Sequence, residues 1–285
     1  MKRKLVDTLT IKGTPRTAAM KAVALASSSY YYRPVSKRKP RALDTGLVAA
    51  INKVRQGHGE VYGYRKVTEA VRAMDITVNG KKVLRHLRCL GLTQTRKVKG
   101  LAWTRPALVK PGSANTYWEA DFTYVWAGDG NAYLCAIIDA WDRDIVGDVF
   151  SDRCRAIEAV QALEKAVLYR FGGKVPQGHH LTLRVDRGSP QFRAHRFREA
   201  ARLLNVILEY AGVKCPQDKP YIESFIGSYK TEELYRHEYR GFAEAMTGWE
   251  TYRAWYREDR LHQALAYQSP LGYAKRAERS ILLVA

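Results

Sequence analysis

Residues 118–150 carry two apolar patterns in succession, and each is typical of a strand in a buried sheet. Apolar and polar side chains alternate over residues 118–126, which is the period of a strand with one buried face. Residues 132–138 are almost continuously apolar, which is typical of a central strand. Residues 128–131 predict a hairpin turn between them, and residues 145–150 predict a third strand. The segment therefore predicts three antiparallel strands at the start of a buried sheet.

Helical and strand patterns alternate after these strands. The apolar spacing predicts helices over residues 156–171, 197–204, 220–237 and 242–257, and strands over residues 181–185 and 206–210. This order predicts an α/β fold, with a mixed five-stranded sheet flanked by helices.

The part of the chain before the sheet is helical and basic. Residues 5–26 predict a short helical region that ends in a polar cluster at residues 27–29. Residues 43–92 predict three short helices, a pattern that resembles a helix-turn-helix unit. The last of these helices is basic through Lys81, Lys82, Arg85 and Arg88. This helix either binds the major groove of DNA or presents a solvated face without a ligand.

Changes in composition predict five segments. They are a basic helical arm and linker (residues 1–42), an all-α helix-turn-helix-like domain (43–92), a linker (93–112), an α/β core (113–275) and a C-terminal tail (276–285).

The formal net charge of +20 is confined to the first 110 residues. That segment has 25 Lys and Arg residues against five acidic ones, whereas the remainder carries equal numbers of both signs. A polyanion is the natural partner of such a segment, and nucleic acid is the commonest one in the cytosol. The basic run at residues 33–41, which includes Arg38, predicts a linker that is either solvated or lies along phosphates.

Cysteine spacing and hydropathy exclude other classes of protein. The four cysteines form no Cys-x-x-Cys pair, which argues against a disulfide framework or a cysteine zinc site. No apolar run of about 20 residues occurs, and the basic N-terminus lacks the apolar segment of a secretion signal. We therefore expect a cytoplasmic protein without a membrane partner.

Three acidic residues occupy positions suited to phosphodiester chemistry. Asp121 lies on the strand face opposite the apolar one, and Asp186 follows the end of the strand at 181–185. Glu223 lies in the first turns of a helix, with Asp218 as the expected N-cap, and Lys230 falls on the same stripe. Two-metal phosphoryl transfer needs converging carboxylates that hold hard divalent cations about 3.5–4 Å apart.

Each of these acids also has a purely structural alternative. In this alternative, Asp121 is a charge on the surface of the sheet and Asp186 forms a turn. Glu223 is then an acid that the helix dipole stabilises near the helix N-terminus. The residues alone do not rank them above four acids of the second hairpin, which are Asp139, Asp142, Asp144 and Asp148.

An ordered set of motifs resembles the second-frame (OrfB-type) transposases of the insertion-sequence three family, which are related to retroviral integrases. The N-terminal motifs lie at residues 27–31, 62–67, 78–83 and 91–92. Those around the acidic residues lie at 118–124, 186–192 and 218–225, and the C-terminal signature lies at 256–257, 260–265 and 269–270. Asp186 and Glu223 are 37 residues apart, close to the interval of the family.

The resemblance implies an RNase H-like catalytic core that cleaves and joins DNA. Asp121, Asp186 and Glu223 would be its catalytic residues and its ligands for two Mg²⁺ ions, with Mn²⁺ able to substitute. Lys230 matches a basic position of the family. The implied partners are double-stranded terminal inverted repeats and target DNA, further copies of the chain on that DNA, and the first-frame (OrfA-type) protein, bound or fused. The implied location is the bacterial nucleoid.

Further residues are expected to contact DNA, by their charge and by the motifs. They are Lys81, Lys82, Arg85, Arg88, Arg65, Lys66 and Arg38. Arg260 and His262 either contact DNA or pack the C-terminal helix.

Two other functions fit the same pattern. One is a catalytically silent, transposase-derived DNA-binding regulator, and the other is a general RNase H-like nuclease. The family pattern is not followed at Arg184 and Val185 or at residues 226–229.

Overall fold

The computed structural model describes residues 2–32, 42–94, 111–128, 130–212 and 218–282. The chain divides into two compact units, residues 1–45 and 46–285. Arg38 and most of the predicted linker at 93–112 lie outside the described residues. Within the described ranges, no helix is long and apolar enough to span a membrane.

The first unit consists of three short helices. They are α1 (Lys2–Ile11), α2 (Arg16–Ala22) and α3 (Ser27–Tyr31). Val6, Ala19 and Met20 form its small core. The single helical region predicted at residues 5–26 is interrupted, because Gly13 adopts a left-handed φ of +92° and Pro15 precedes α2. The polar cluster predicted to end it is itself helical.

Three helices at the start of the second unit match the helix-turn-helix prediction. They are α4 (Thr45–Val54), α5 (Tyr64–Arg72) and α6 (Gly80–Cys89), with a 3₁₀ turn at Gly57–Val61 between the first two. Their buried core includes Ile51, Val67 and Leu87. Asn79 caps α6, since its side chain accepts a 2.8 Å hydrogen bond from the Lys81 amide.

The remainder of the unit is built on five strands. They are β1 (Tyr117–Ala127), β2 (Gly130–Asp139), β3 (Ile145–Ser151), β4 (Thr182–Val185) and β5 (Ile207–Tyr210). The order across the sheet is β3-β2-β1-β4-β5. The first three strands are antiparallel, whereas β4 runs parallel to both β1 and β5. This arrangement confirms the predicted mixed five-stranded sheet.

Helices cover both faces of the sheet. They are α7 (Ala156–Phe171), α8 (Pro190–Arg193), α9 (His195–Leu203), α10 (Pro220–Tyr229), α11 (Phe242–Glu258) and α12 (Pro270–Leu282). One apolar core lies between the sheet and α7, α8 and α9, and the other lies between the sheet and α10 and α11. The predicted helix at 220–237 ends earlier, because α10 passes into a π-helical turn at Lys230–Leu234. Helix α12 extends past residue 275.

The alternating apolar pattern of β1 continues past the part of the strand that α7, α8 and α9 cover. Trp118 is fully buried, but Tyr124 and Trp126 on the same face are 67% and 70% exposed. Strand β4 pairs with β1 only as far as Glu119, so the far end of β1 projects past the α7–α9 layer. The expectation that Tyr124 and Trp126 continue the buried face is therefore wrong.

Candidate active site

Asp121 on β1 and Asp186, the first residue after β4, occupy matching positions along two neighbouring parallel strands. The last paired residues of β1 and β4 are Glu119 and Arg184, and each aspartate lies two residues further along its own strand direction. Neighbouring strands are about 4.8 Å apart, so the two backbones approach closely here. Sites form at this carboxyl edge of parallel strands in open α/β sheets.

The Asp186 carboxylate is positioned by the loop that follows β4. Its Oδ1 accepts a 3.2 Å hydrogen bond from the Gly188 amide, and the Ser189 hydroxyl lies 3.5 Å from Oδ2. A side chain at Gly188 would place its Cβ 3.1 Å from Oδ2. Glycine therefore lets the loop fold tightly over a partly exposed carboxylate.

Glu223 lies in the first turn of α10, and a buried glutamate of β1 anchors that turn. Glu119 Oε2 accepts hydrogen bonds of 2.9 Å from the backbone amides of both Tyr221 and Ile222. Burial raises the pKa of Glu119 to about 7, although these hydrogen bonds oppose the shift. The expected N-cap, Asp218, instead accepts from the Gly212 amide at 2.9 Å, so that prediction is wrong.

Lys219, the residue before α10, pairs with Asp121. Its ammonium lies 2.9 Å from Asp121 Oδ2, and its side chain is 5% exposed. Glu223 belongs to the same electrostatic group. Burial raises the pKa of Glu223, the Lys219 charge opposes this, and the Asp121 charge adds to it.

The three predicted carboxylates share one region but do not surround one point. No three acidic, His or Cys side chains in the described ranges are close enough together to hold a metal ion. The donor type nevertheless fits, because carboxylate oxygens are the preferred ligands of hard divalent cations. The unfavourable interaction between Asp121 and Glu223 is also one that such a cation would relieve.

The four competing acids of the second hairpin have structural partners. Asp139 accepts hydrogen bonds from Trp118 Nε1 and from the Asn115 and Trp141 amides. Arg170 contacts Asp142 and Asp144, Arg257 contacts Asp144, and Arg253 contacts Asp148, all at 2.6–3.0 Å. Burial and the Asp139 charge raise the pKa of Asp142 to about 7, against the effect of Arg170. Asp142, Asp144 and Asp148 therefore hold this region to α7 and α11.

The predicted DNA-contacting residues of the helical domain differ in their placement. Lys81, Lys82 and Arg88 are exposed on α6, and Arg65 is exposed on α5. Arg85 is partly buried, and Lys66 is largely buried against the Tyr62 ring, 4.9 Å from its centroid. Burial and the Arg260 charge lower the pKa of Lys66 to about 7.

Arg260 and His262, expected either to contact DNA or to pack the C-terminal helix, are packed against other side chains. Arg260 is 7% exposed, and Nε and one terminal nitrogen each lie 2.7 Å from the Glu232 carboxylate. His262 lies 3.1 Å from Arg260 and edge-on to Tyr256. Burial and the Arg260 charge lower the pKa of His262 to about 2, so the ring is neutral.

This C-terminal segment also joins the helical domain to the core. The Tyr62 hydroxyl accepts a 3.0 Å hydrogen bond from the Leu261 amide and donates to the Asp259 oxygen at 3.3 Å. Arg236 forms an ion pair with Glu60.

Lys230 follows the last residue of α10 and meets an exposed ring of β1. Its ammonium is 5.5 Å from the centroid of Tyr124, within the range of a cation–π contact.

The sequence patterns did not single out Glu119 or Lys219. Alternation places Glu119 on the same face as Asp121, and that shared face was the only available signal for it.

The segments that match known protein families coincide with the helical domain and the core seen in the structure. The family described as integrase core domain matches residues 111–212, and a second family of that description matches residues 204–270. The family described as HTH-like domain matches residues 42–100. These matches and the mixed sheet define the class: an integrase-core polynucleotidyl transferase with an attached DNA-binding domain.

The relatives are proteins of bacterial insertion sequences. The chain is 27% identical over 256 residues to the transposase of insertion sequence element IS904 from Lactococcus lactis, covering 85% of this chain and 98% of the relative. It is 28% identical over 265 residues to the transposase of IS629 from Shigella sonnei, covering 86% of each. A 31.7 kDa protein of insertion element IS407 from Burkholderia multivorans is 27% identical, covering 90% of this chain and 89% of that protein.

Among solved structures, a chain of the simian T-cell lymphotropic virus intasome, in complex with PP2A regulatory subunit B56 gamma, is similar. The TM-score is 0.49 at 15% identity, covering 78% of this chain and 73% of that one. The chain therefore carries an integrase core domain and an HTH-like domain and is similar to transposases of bacterial insertion sequences, consistent with the insertion-sequence three family.

Proposed function

We propose that the chain cleaves and joins DNA at the ends of an insertion sequence, in a metal-dependent reaction of Asp121, Asp186 and Glu223. The observation that supports this proposal is the position of Asp121 on β1 and of Asp186 directly after the adjacent parallel strand β4, in an integrase core. Glu223, in the first turn of α10, would complete the set, and the contribution of the Asp121 charge to its raised pKa supports this.

The metal would be Mg²⁺, with Mn²⁺ able to substitute. Two such ions, when bound, supply a stronger attacking oxygen and a stabilised leaving oxygen for in-line displacement at phosphorus. The three carboxylates would hold them. Asp186 needs little rearrangement, since its oxygens contact only its own loop among the described residues.

The basic side chains of the described surface would hold and orient DNA. Lys230 lies on the turn that follows the Glu223 helix, where its ammonium can neutralise a backbone phosphate. The exposed Lys81, Lys82 and Arg88 make α6 the element suited to the major groove. Recognition of terminal inverted repeats would therefore belong to the helical domain, and chemistry to the core.

Assembly and domain division follow the same proposal. We infer that several copies act together on two DNA ends, and that the first-frame protein joins this chain as a partner or as a fusion. We retain the predicted boundaries at residues 42, 92 and 112 as the functional division of the chain, whereas the predicted boundary at residue 275 falls inside helix α12.

The test is a strand-transfer assay with DNA that carries the inverted repeats flanking the coding sequence. Asp186→Asn and Glu223→Gln should bind this DNA with near-normal affinity and lose both cleavage and joining in Mg²⁺. Asp152→Asn is the matched control, because Asp152 is an acid whose side chain is 69% exposed outside the site. Retention of joining by either site variant would contradict the assignment.

The same assay separates the two alternatives. Footprinting on the repeats without cleavage would indicate a DNA-binding regulator. Cleavage of any DNA, without preference for the repeats and without joining, would indicate a general nuclease.

A further inference from the structure

Lys219 is a buried lysine inside the candidate site, and the proposed reaction does not use it. The residue is 4% exposed. Its ammonium lies 2.9 Å from Asp121 Oδ2 and 3.5 Å from the backbone oxygen of Ala120. Lysine is rarely buried unless it is paired, because an ammonium withdrawn from water needs a fixed partner. Its partner here is one of the three candidate metal ligands.

The charges around Lys219 show which carboxylates its ammonium neutralises. Lys219 interacts electrostatically with Glu119 and Glu223, in addition to its contact with Asp121. The nearby Arg184 guanidinium is already engaged, at 2.7 Å from Glu209 and 2.7 Å from the Asp218 oxygen. In the described part of the site, Lys219 is therefore the cation that neutralises Asp121.

Both oxygens of Asp121 are engaged in this arrangement. Oδ1 accepts a 2.8 Å hydrogen bond from the Phe122 amide, and Oδ2 faces the ammonium. A divalent cation bound to Asp121 would lie within about 5 Å of that ammonium, where like charges repel strongly in a partly buried site. The lysine and a metal ion therefore compete for the same carboxylate.

We propose that Lys219 is an internal counter-ion, which holds Asp121 while the site is without metal and has to leave it before metal binds. This inference rests on the proposed function, because it takes Asp121 as a metal ligand. A phosphate of bound DNA gives the displaced ammonium a new partner. Metal binding and DNA binding should therefore strengthen each other, which would keep the site poorly loaded until DNA arrives.

The first experiment measures Mn²⁺ binding to the full chain without DNA, by electron paramagnetic resonance of free Mn²⁺. Lys219→Gln, which removes the charge, should bind Mn²⁺ about tenfold more tightly than the wild type. Lys219→Arg keeps the charge and should stay within about threefold of the wild type. Lys165→Gln is the matched control, since Lys165 also donates to a backbone oxygen, that of Asp148 at 3.2 Å, but lies on α7.

Adding terminal-repeat DNA provides a second comparison in the same assay. DNA should tighten Mn²⁺ binding by the wild type and should tighten it less in Lys219→Gln, so that the two proteins become similar. Equal or weaker Mn²⁺ binding by folded Lys219→Gln without DNA would overturn the inference.

A crystal structure of the wild type with Mn²⁺ tests the inference without any variant. We expect the Lys219 ammonium to lie more than about 4 Å from Asp121 Oδ2, beyond the range of an ion pair. An ion pair that persists beside a metal-bound Asp121 would overturn the inference even if Lys219→Gln does not fold.

Asp186→Asn separates this inference from the proposed function. If Asp186→Asn binds Mn²⁺ as the wild type does, the proposed metal site itself fails. If it loses Mn²⁺ while Lys219→Gln shows no tightening, only the counter-ion inference fails.

Discussion

Glu119 Oε2 accepts a 2.9 Å hydrogen bond from the backbone amide of Ile222, so that strand β1 is joined directly to the first turn of α10. The Tyr221 amide donates to the same oxygen. Asp121 lies two residues after Glu119 and Glu223 one residue after Ile222. This buried contact therefore fixes the spacing between the two elements that carry candidate ligands.

Glu119→Ala should destabilise the protein and weaken strand transfer. Removal of the acceptor leaves two buried amides unpaired, which should lower the free energy of unfolding by about 2–4 kcal/mol. Glu119→Gln keeps an acceptor oxygen and should cost less. Urea unfolding measures both, with Glu164→Ala on the exposed side of α7 as the control. Wild-type stability of Glu119→Ala would show that the contact does not hold α10.

Asp144→Ala should affect stability far more than chemistry. Asp144 is fully buried and pairs with Arg170 and Arg257, so its removal takes the ion-pair partner from Arg257 and leaves Arg170 with Asp142 alone. We expect a loss of about 3–5 kcal/mol in the free energy of unfolding. The strand-transfer rate per folded molecule should stay within about threefold of the wild type. Abolished chemistry in a folded Asp144→Ala protein would place Asp144 in the active site instead.

The titration of Lys66 should make stability depend on pH in the alkaline range. Burial and the Arg260 charge lower its pKa from 10.5 to about 7 in the folded state. The unfolded chain then binds more protons than the folded one between these values, so stability rises with pH across that interval. Relative to Lys66→Met, the wild type should gain a few kcal/mol, at most about 3, between pH 7 and about pH 10.

Urea unfolding at the two pH values measures this difference. Lys66→Met should also be more stable than the wild type at pH 7, because it removes a buried charge. A parallel pH dependence in both proteins would show that Lys66 is not desolvated.

DNA binding by Lys66→Met should be near normal, whereas Arg65→Gln, which removes an exposed neighbouring charge, should weaken it.

Lys81→Gln and Arg88→Gln should each weaken binding to terminal-repeat DNA and reduce its salt dependence. Each exposed charge on α6 that meets a phosphate contributes about one unit to the slope of log K against log salt. Fluorescence anisotropy over a range of salt concentrations measures the slope. Arg202→Gln is the control, since Arg202 is exposed on α9 and paired with Glu199. An unchanged slope in both α6 variants would exclude α6 from the DNA interface.

Local patterns were sufficient to predict most of the helices and strands. Helix α7 has the predicted bounds because Gly172 ends it in the left-handed conformation, at φ +73°. The sheet was predictable because alternating and continuous apolar runs are both typical of strands. The alternation predicted one buried face for β1, however, whereas Glu119, Thr123 and Val125 on the opposite face are buried as well. The position of Asp186 at a strand end followed from the same patterns.

The contacts that decide the electrostatics of the site were not predictable. Glu119 and Lys219 meet partners about a hundred residues away in the chain, and neither periodicity nor local charge indicates such pairs. The alternation of β1 likewise gave no sign that Tyr124 and Trp126 are exposed, since that depends on the short length of β4. Short-range patterns predict elements, whereas these outcomes depend on which elements pack together.

We propose that Asp121, Asp186 and Glu223 act as one metal-dependent unit. The most direct test compares single-turnover strand-transfer rates in Mg²⁺ for Asp186→Asn, Glu223→Gln and the double variant. Groups that act as a unit are not additive, so all three should fall to the same background, at least about 1000-fold below the wild type. A single variant that stays within about tenfold of the wild-type rate would contradict the account.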